Sequence, residues 1–560
     1  MNQLNTQPYT TNPLVLFCFV LLANCLIASV SDAQTSAIVT DGSAGPARAL
    51  NGPNYTIQET LGTVSGNNLF HSFQEFSIPT GNSATFTTIT PTLSNVISRV
   101  TGGSLSTING PLSLDAAPGS APNFFFINPA GVTFGAGAAI DVPGAFRVST
   151  ANTLKFADGV ELHTDLSQGS SFSSAAPEAF GFLGSTRATI AVQNSRLALN
   201  PDKTLSLVAD DLSIENSDLS VPQGTIDLVA VGEQAVEIAV DELRNATETV
   251  SGETTINKSL IDVSGDGAGG IFIESGLLLI ENKSSVLANN SGDTNPQDTD
   301  GIRVNATELL LENSKITTNS LSIGHAANIS ISVQGATHLL SGGLISSNTF
   351  SVGNAGDVLL TAGNLVINGP FTGIFSVAAP KSLGDTGSLT IDVAEKAEIL
   401  NGGSISSRTF SEGNTGTVML TADDLVIDGI DRLGTEFITS IGSFAELNSS
   451  GNLGNVNITV NRTVEILGGG YFTIIGTSTR PGSSGVGGNL FLTAGNLVID
   501  GQGTTFITGI GNLAEFGSSG NAGNLTIEVA EKAEIVNGGQ ISAGTFSSGN
   551  AGALFFKAGS

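Results

Sequence analysis

Along most of the chain, apolar and polar side chains alternate one by one over short runs, each closed by Gly, Asn, Asp or Ser. Ile329-Ser330-Ile331-Ser332-Val333 and Leu389-Thr390-Ile391-Asp392-Val393 are typical. A period of two sends Ile, Leu and Val to one side of a strand and Ser, Thr and Asp to the other, so these runs predict half-buried β-strands. Stretches with apolar residues at i, i+3, i+4 and i+7 and no intervening Gly, Asn or Thr are almost absent, and helices are not expected.

The strands recur in a larger pattern. Ser346-Ser347-Asn348-Thr349-Phe350, Ser406-Ser407-Arg408-Thr409-Phe410 and Ser542-Ala543-Gly544-Thr545-Phe546 align with the same internal spacing. Each Phe is followed six residues later by Gly356, Gly416 or Gly552, which closes a Gly-Asn-Ala/Thr-Gly turn. A second unit begins at Leu360, Leu420 and Leu492, so its copies lie 60 and 72 residues apart. That spacing is too long for one turn of a solenoid and divides into about three turns of about 20 residues. The predicted architecture is all-β: a right-handed parallel β-helix, a pectin-lyase-like solenoid, over residues 166–560. At about 22 residues per coil it would hold about 17 coils and reach about 80 Å. Phe at one phase is expected to stack inside along the axis, and Asn at the turns to form hydrogen-bonded ladders. Gly549-Asn550-Ala551-Gly552 begins a further coil just before Ser560, so a longer protein is expected.

Composition narrows the classes of function. Hydrophobic residues make up 40% of the 560, enough for a continuous core, so disorder is a poor reading of the Gly- and Ser-rich turns. The formal net charge is −29. Phosphate binding needs clustered Lys and Arg, so nucleic acid and anionic membranes are excluded as partners. Residues 14–30 form an apolar run, followed by Ser31-Asp32-Ala33 with small residues at the two positions a signal peptidase reads. A secretory signal over residues 1–33, cleaved after Ala33, is expected, and no stable membrane insertion. Both cysteines, Cys18 and Cys25, lie within it, so the exported chain would have no disulfide.

Residues 34–165 carry motifs that the repeats lack. Asn67-Asn68-Leu69-Phe70-His71-Ser72-Phe73-Gln74-Glu75-Phe76 is followed by Asn95-Val96-Ile97-Ser98-Arg99-Val100. Then comes Asn123-Phe124-Phe125-Phe126-Ile127-Asn128-Pro129-Ala130-Gly131-Val132. In this order, behind a signal peptide, the set resembles the N-terminal two-partner secretion domain of filamentous haemagglutinin-like exoproteins, particularly the large cyanobacterial ones. The resemblance implies a β-helical secretion and capping domain. It also implies export by a dedicated outer-membrane transporter whose periplasmic domains recognise the chain. The family's Asn-Pro-Asn-Gly-Ile motif falls on Asn128, Pro129, Ala130, Gly131 and Val132, with Ala130 in place of the second Asn. Asn128, Pro129, Gly131 and Val132 are therefore the candidate secretion or partner-binding residues. As a local sequence, Asn-Pro-x-Gly is a tight turn in which Pro fixes φ and Gly permits a positive φ.

Chemistry for catalysis is sparse. Asp210-Asp211 and Asp423-Asp424 are adjacent pairs, and neighbours in a strand are expected to point to opposite faces. Gly265-Asp266-Gly267-Ala268-Gly269-Gly270 faintly resembles a calcium-binding nonapeptide but occurs once. His71, His163, His325 and His338 lack metal-ligand spacing. No cofactor or metal is expected. His71 and Arg99 read as fold residues. The sequence is read as an exported adhesin or extracellular structural rod and not an enzyme. The alternatives are a stalk for an effector beyond Ser560 or a polysaccharide-degrading β-helix.

Overall fold

The computed structural model describes residues 37–184, 188–240, 250–296, 300–429, 437–469, 472–503 and 506–559. The expected signal segment, with Cys18 and Cys25, lies outside them. In the unit formed by residues 36–560, strands pair in parallel with strands one coil before and one coil after. This is the parallel β-helix that the alternation predicted.

One repeat shows how a coil is made. Val358–Asn368 is a single strand that bends once, so its first half lies on one face of the rod and its second half on the next. The bend falls at Gly363, where a β-carbon would press on the carbonyls of Gln334 and Gly335 in the preceding coil. Gly373–Ala378 then forms the third face, and a loop returns the chain to the first. Residues alternate inward and outward along each strand, as Leu360, Leu365 and Ile367 are fully buried.

The coil is wider than the sequence spacing suggested. First-face residues Ile302, Ile329, Val358, Leu389, Val418, Val456, Leu490, Leu525 and Leu554 stack in register, at intervals of 27 to 38 residues. The 60-residue repeat is therefore two coils, Leu360 to Ile391 to Leu420, and not three. Each coil needs an 11- to 13-residue bent strand, a third-face strand and a corner loop, which about 22 residues cannot supply. Sixteen first-face rungs, from Leu69 to Leu554, give a rod about 70 Å long.

A second expectation is overturned at the phenylalanines. Phe350, Phe410 and Phe546 do not stack inside; they are 54%, 38% and 69% exposed. The inward positions of the third face alternate Ile with Ser or Thr: Ile345, Ser347 and Thr349, then Ile405, Ser407 and Thr409. Phe is the next residue after the buried Thr and so turns outward at the corner. Most interior hydroxyls of this face have partners, although Thr473 Oγ1 has none. Ser347 Oγ accepts Gly356 N at 2.8 Å, and Thr415 Oγ1 lies 2.6 Å from Ser443 Oγ.

That corner carries a Gly-x-x-Gly on successive coils, from Gly353 to Gly356 up to Gly549 to Gly552, and a β-carbon at either glycine would overlap the carbonyl below it. The Asn ladders expected at turns are present: Asn414 Oδ1 accepts Asn452 N, and Asn489 Oδ1 accepts Asn524 N, both at 2.9 Å.

The first coils are built differently. Their interior is filled with phenylalanine, with Phe86 and Phe124 4.8 Å apart and Phe76 and Phe126 5.0 Å apart. Their first face is buried on its outer side as well. An antiparallel sheet of Thr153–Phe156, Glu161–His163, Pro177–Leu183 and Ala235–Ala239 leaves the helix and covers it. Leu154, Phe156, Phe180 and Ile238 of this sheet pack on Phe70, Ile97, Phe125 and Val208 of the coils, making a second core. The open edge of Asn68–Phe76 is closed by antiparallel Ile38–Thr40 and Thr63–Ser65.

Candidate functional site: the Asn-Pro-x-Gly corner and the N-terminal cap

Asn123–Ile127 alternates Phe124 and Phe126 into the rod with Phe125 and Ile127 into the second core. A strand buried on both sides must turn sharply at the corner, and Asn128-Pro129-Ala130-Gly131 makes that turn. Gly131 N donates to Asn128 O at 3.0 Å, and Gly131 takes φ 104°. The Asn128 side chain serves two coils. Its Oδ1 accepts Ala130 N at 2.9 Å, and its Nδ2 donates to Ser104 O and Ser106 Oγ, each at 2.9 Å. Val132 then enters Val132–Phe134, pointing inward and fully buried. The four candidate residues thus form one corner, and only Pro129 among them reaches the surface even in part.

A column of asparagines stands at the opposite end of the same strand, and the sequence reading did not single it out. Asn95 Nδ2 donates to Asn68 Oδ1 at 2.9 Å, and Asn123 Nδ2 to Asn95 Oδ1 at 3.2 Å. Asn68 Nδ2 ends the column on Ser173 O and Ala175 O, tying the covering segment to the first coil. The signal was available: an Asn stands directly before each apolar strand, at intervals of 27 and 28 residues, the true coil length.

Arg99 is the largest fully buried side chain. It donates through Nε to Ser72 Oγ at 2.8 Å, through Nη2 to Ser43 Oγ at 2.9 Å, and through Nη1 to Ser170 Oγ at 2.9 Å and to His163 O. It therefore clamps the cap and the covering segment to the coil. Asp41 stands close by. Burial raises its pKa, but hydrogen bonds from Ser72, Ser43 and Thr101 outweigh that and hold it below the usual carboxylate value. His71 faces Phe86 at 5.3 Å and lies against the backbone of Leu61, inside the first coil. Burial pushes its pKa down to about 4, so it is neutral. Farther along, the buried Glu274 has one unpartnered oxygen, and burial raises its pKa to about 7.

The remaining sequence candidates resolve as structural groups. Asp423 and Asp424 do not point apart: the strand shifts register between Ala422 and Asp424, and both carboxylates approach Arg462 Nη2, at 3.7 and 2.7 Å. Asp210 Oδ2 accepts Ala188 N and Asp211 Oδ1 accepts Glu253 N. Asp266 lines an open cleft with Asp202, Gln223 and Thr294, and accepts hydrogen bonds from Thr294. Among the described residues, no three His, Cys, Asp or Glu side chains are grouped to hold a metal, and no helix is long and apolar enough to cross a membrane.

The N-terminal coils thus form a β-helix closed at its first edge and jacketed by a sheet of its own. Residues 34–271 match the family model of the TPS secretion domain, so this chain carries a two-partner secretion domain and is an exoprotein exported across the outer membrane. The match implies a dedicated outer-membrane transporter. The crystal structure of the HMW1 secretion domain from Haemophilus influenzae is similar to this chain at 14% identity and a TM-score of 0.38. It covers 86% of this chain and 96% of that one. No curated protein matches the chain.

Proposed function

We propose that the protein is an adhesin or extracellular structural rod, and that the periplasmic domains of its transporter recognise the segment around Asn128, Pro129, Gly131 and Val132 before it folds. The observation that carries the second part is the burial of Asn128 and Val132. In the folded coil their polar and apolar groups are already used, so a partner that reads them meets an extended chain, by adding it as a strand to a sheet edge. Folding of the first coils then removes the segment from the transporter. The adhesive or structural role draws on a surface of stacked coils rich in Ser, Thr, Asn and Asp. The division into secretion domain and passenger, set at residue 165 by the motifs, belongs to the same proposal; the covering sheet is continuous across that position.

Two substitutions test the recognition step. Pro129→Ala alters a half-exposed residue of the turn, whereas Asn128→Ala removes the bonds to Ser104 and Ser106. Both are expected to lower export with a co-expressed transporter. Refolded chains of either variant should still give β-rich circular dichroism. If both unfold and Pro129→Ala exports normally, the motif serves the fold alone.

A further inference from the structure

The corner that follows the third face carries a column of hydrogen bonds from coil to coil, and one of its acceptors differs in kind. The acceptors come from the residue after the first glycine of each Gly-x-x-Gly. Asn354 Oδ1 accepts Asp385 N at 3.0 Å, Asp385 Oδ1 accepts Asn414 N at 2.7 Å, and Asn452 Oδ1 accepts Val486 N at 2.9 Å. At the start of this run Asn295 Oδ1 accepts His325 N at 3.0 Å. The next acceptor is a ring nitrogen: His325 Nδ1 accepts Asn354 N at 2.9 Å. His325 follows Gly324 as Asn354 follows Gly353. Its Nδ1 is bonded to Cγ, as Oδ1 is in Asn and Asp, so the imidazole fills the same place. The companion bonds are unchanged along the run. Ala326 N to Asn354 O, Ala355 N to Asp385 O, Thr386 N to Asn414 O and Thr415 N to Asn452 O all measure 2.9 Å.

The bond fixes the state of the ring. A backbone N–H can only donate, so Nδ1 holds a lone pair and the ring proton sits on Nε2. The amide oxygens of the other rungs accept at every pH. Imidazole does not, because once protonated both its nitrogens are donors, and Nδ1–H would face the N–H of Asn354. Both residues are exposed, so a proton reaches the ring from solvent. The described charged groups on the loops packed against it are Asp293 below and Asp357 above. Asp293 accepts Ser322 Oγ at 2.8 Å and Asp357 accepts Ser388 N at 2.7 Å. Loop 321–327 carries no charged side chain of its own.

We propose that His325 is an acid-sensitive latch on this corner, which holds Asn354 to the coil below while the ring is neutral and releases it when the ring is protonated. The neutral chain holds Asn354 by two bonds, from its N–H to His325 Nδ1 and from Ala326 N to its carbonyl. Acid removes the first and leaves the second. Farther along the column, Asn452 keeps its bond to Asn414 Oδ1, because an amide does not titrate in this range. The release is confined to one corner, and the strand ladders of the three faces stay paired. It is a property of the folded rod and does not rest on the route of export.

Hydrogen exchange at single residues, read by mass spectrometry on the folded chain and corrected for the intrinsic effect of pH, tests it at pH 7.5 and pH 5, on either side of the usual histidine transition. Asn452 is the reference within the same molecule. Protection at Asn354 is expected to fall about fivefold in acid, and that at Asn452 to stay as it is. His325→Asn places an amide oxygen at the rung and should abolish the fall, at unchanged circular dichroism. With ¹⁵N-labelled histidine, the signals lost in that variant should show a protonated Nε2 and a bare Nδ1 at pH 7.5. The same change in protection at Asn354 and Asn452, a fall that survives His325→Asn, or a protonated Nδ1 at pH 7.5 would each overturn the proposal. The comparison of Asn354 with Asn452 needs no variant, so a His325→Asn chain that failed to fold would leave the test standing.

Discussion

Two buried ionisable side chains respond to acid in opposite directions. His71 has its pKa lowered from 6.5 to about 4 by burial, so the unfolded chain takes up its proton first. Its contribution to stability is complete above about pH 6.5 and is lost as the pH falls towards 4, by up to about 3 kcal/mol. Glu274 has its pKa raised from 4.5 to about 7, so it costs stability as the pH rises through that window. His71→Phe should flatten the acid limb of a denaturation series. Glu274→Gln should raise the midpoint at pH 8 and leave it unchanged at pH 4. If His71→Phe loses stability in parallel with the parent between pH 6.5 and 4, the buried neutral histidine is not the cause. Arg99→Ala removes the clamp between the cap and the covering segment. It should cost about 3 kcal/mol and expose the segment around Ser170 to protease.

At the scale of elements, the corner glycines are the strictest requirement. Gly451→Ala places a methyl group against the carbonyl of Gly413, whereas at Gly544 the nearest atom to a β-carbon is 3.8 Å away. Gly451→Ala is expected to destabilise its coil by about 2 kcal/mol or more, and Gly544→Ala to be neutral, as read by hydrogen exchange. The covering sheet gives a second contrast. Phe180→Ala empties the second core and should cost about 3–5 kcal/mol, opening the antiparallel strands before the coils. Strand type and the parallel helix were legible because Ile329 to Val333 and Leu389 to Val393 alternate cleanly. The coil length was not, because two similar coils share one 60-residue repeat; the Gly-x-x-Gly and the Asn column, which recur once per coil, carried it. Phe350 was misplaced because the inward position at that phase belongs to Thr349, whose hydroxyl is satisfied inside. The covering sheet was invisible for a related reason: Phe125 and Ile127 lie on the outward face of their strand, and only the packing shows what covers them.

For the whole molecule, the interior changes along its length. Phenylalanine fills the first coils and two cores hold them, whereas the later coils pair Ile with Ser and Thr. The candidate corner was legible as a motif, Asn128 to Val132, but its burial was not, since that depends on Ser104 and Ser106 one coil away. The reading as an exported rod rests on the secretion domain, and its most direct test is the fate of the full chain in a Gram-negative host. Residues 1–560 should appear in the medium or on the cell surface when the cognate outer-membrane transporter is co-expressed, and stay in the periplasm without it. Retention in the periplasm beside a working transporter would contradict the account.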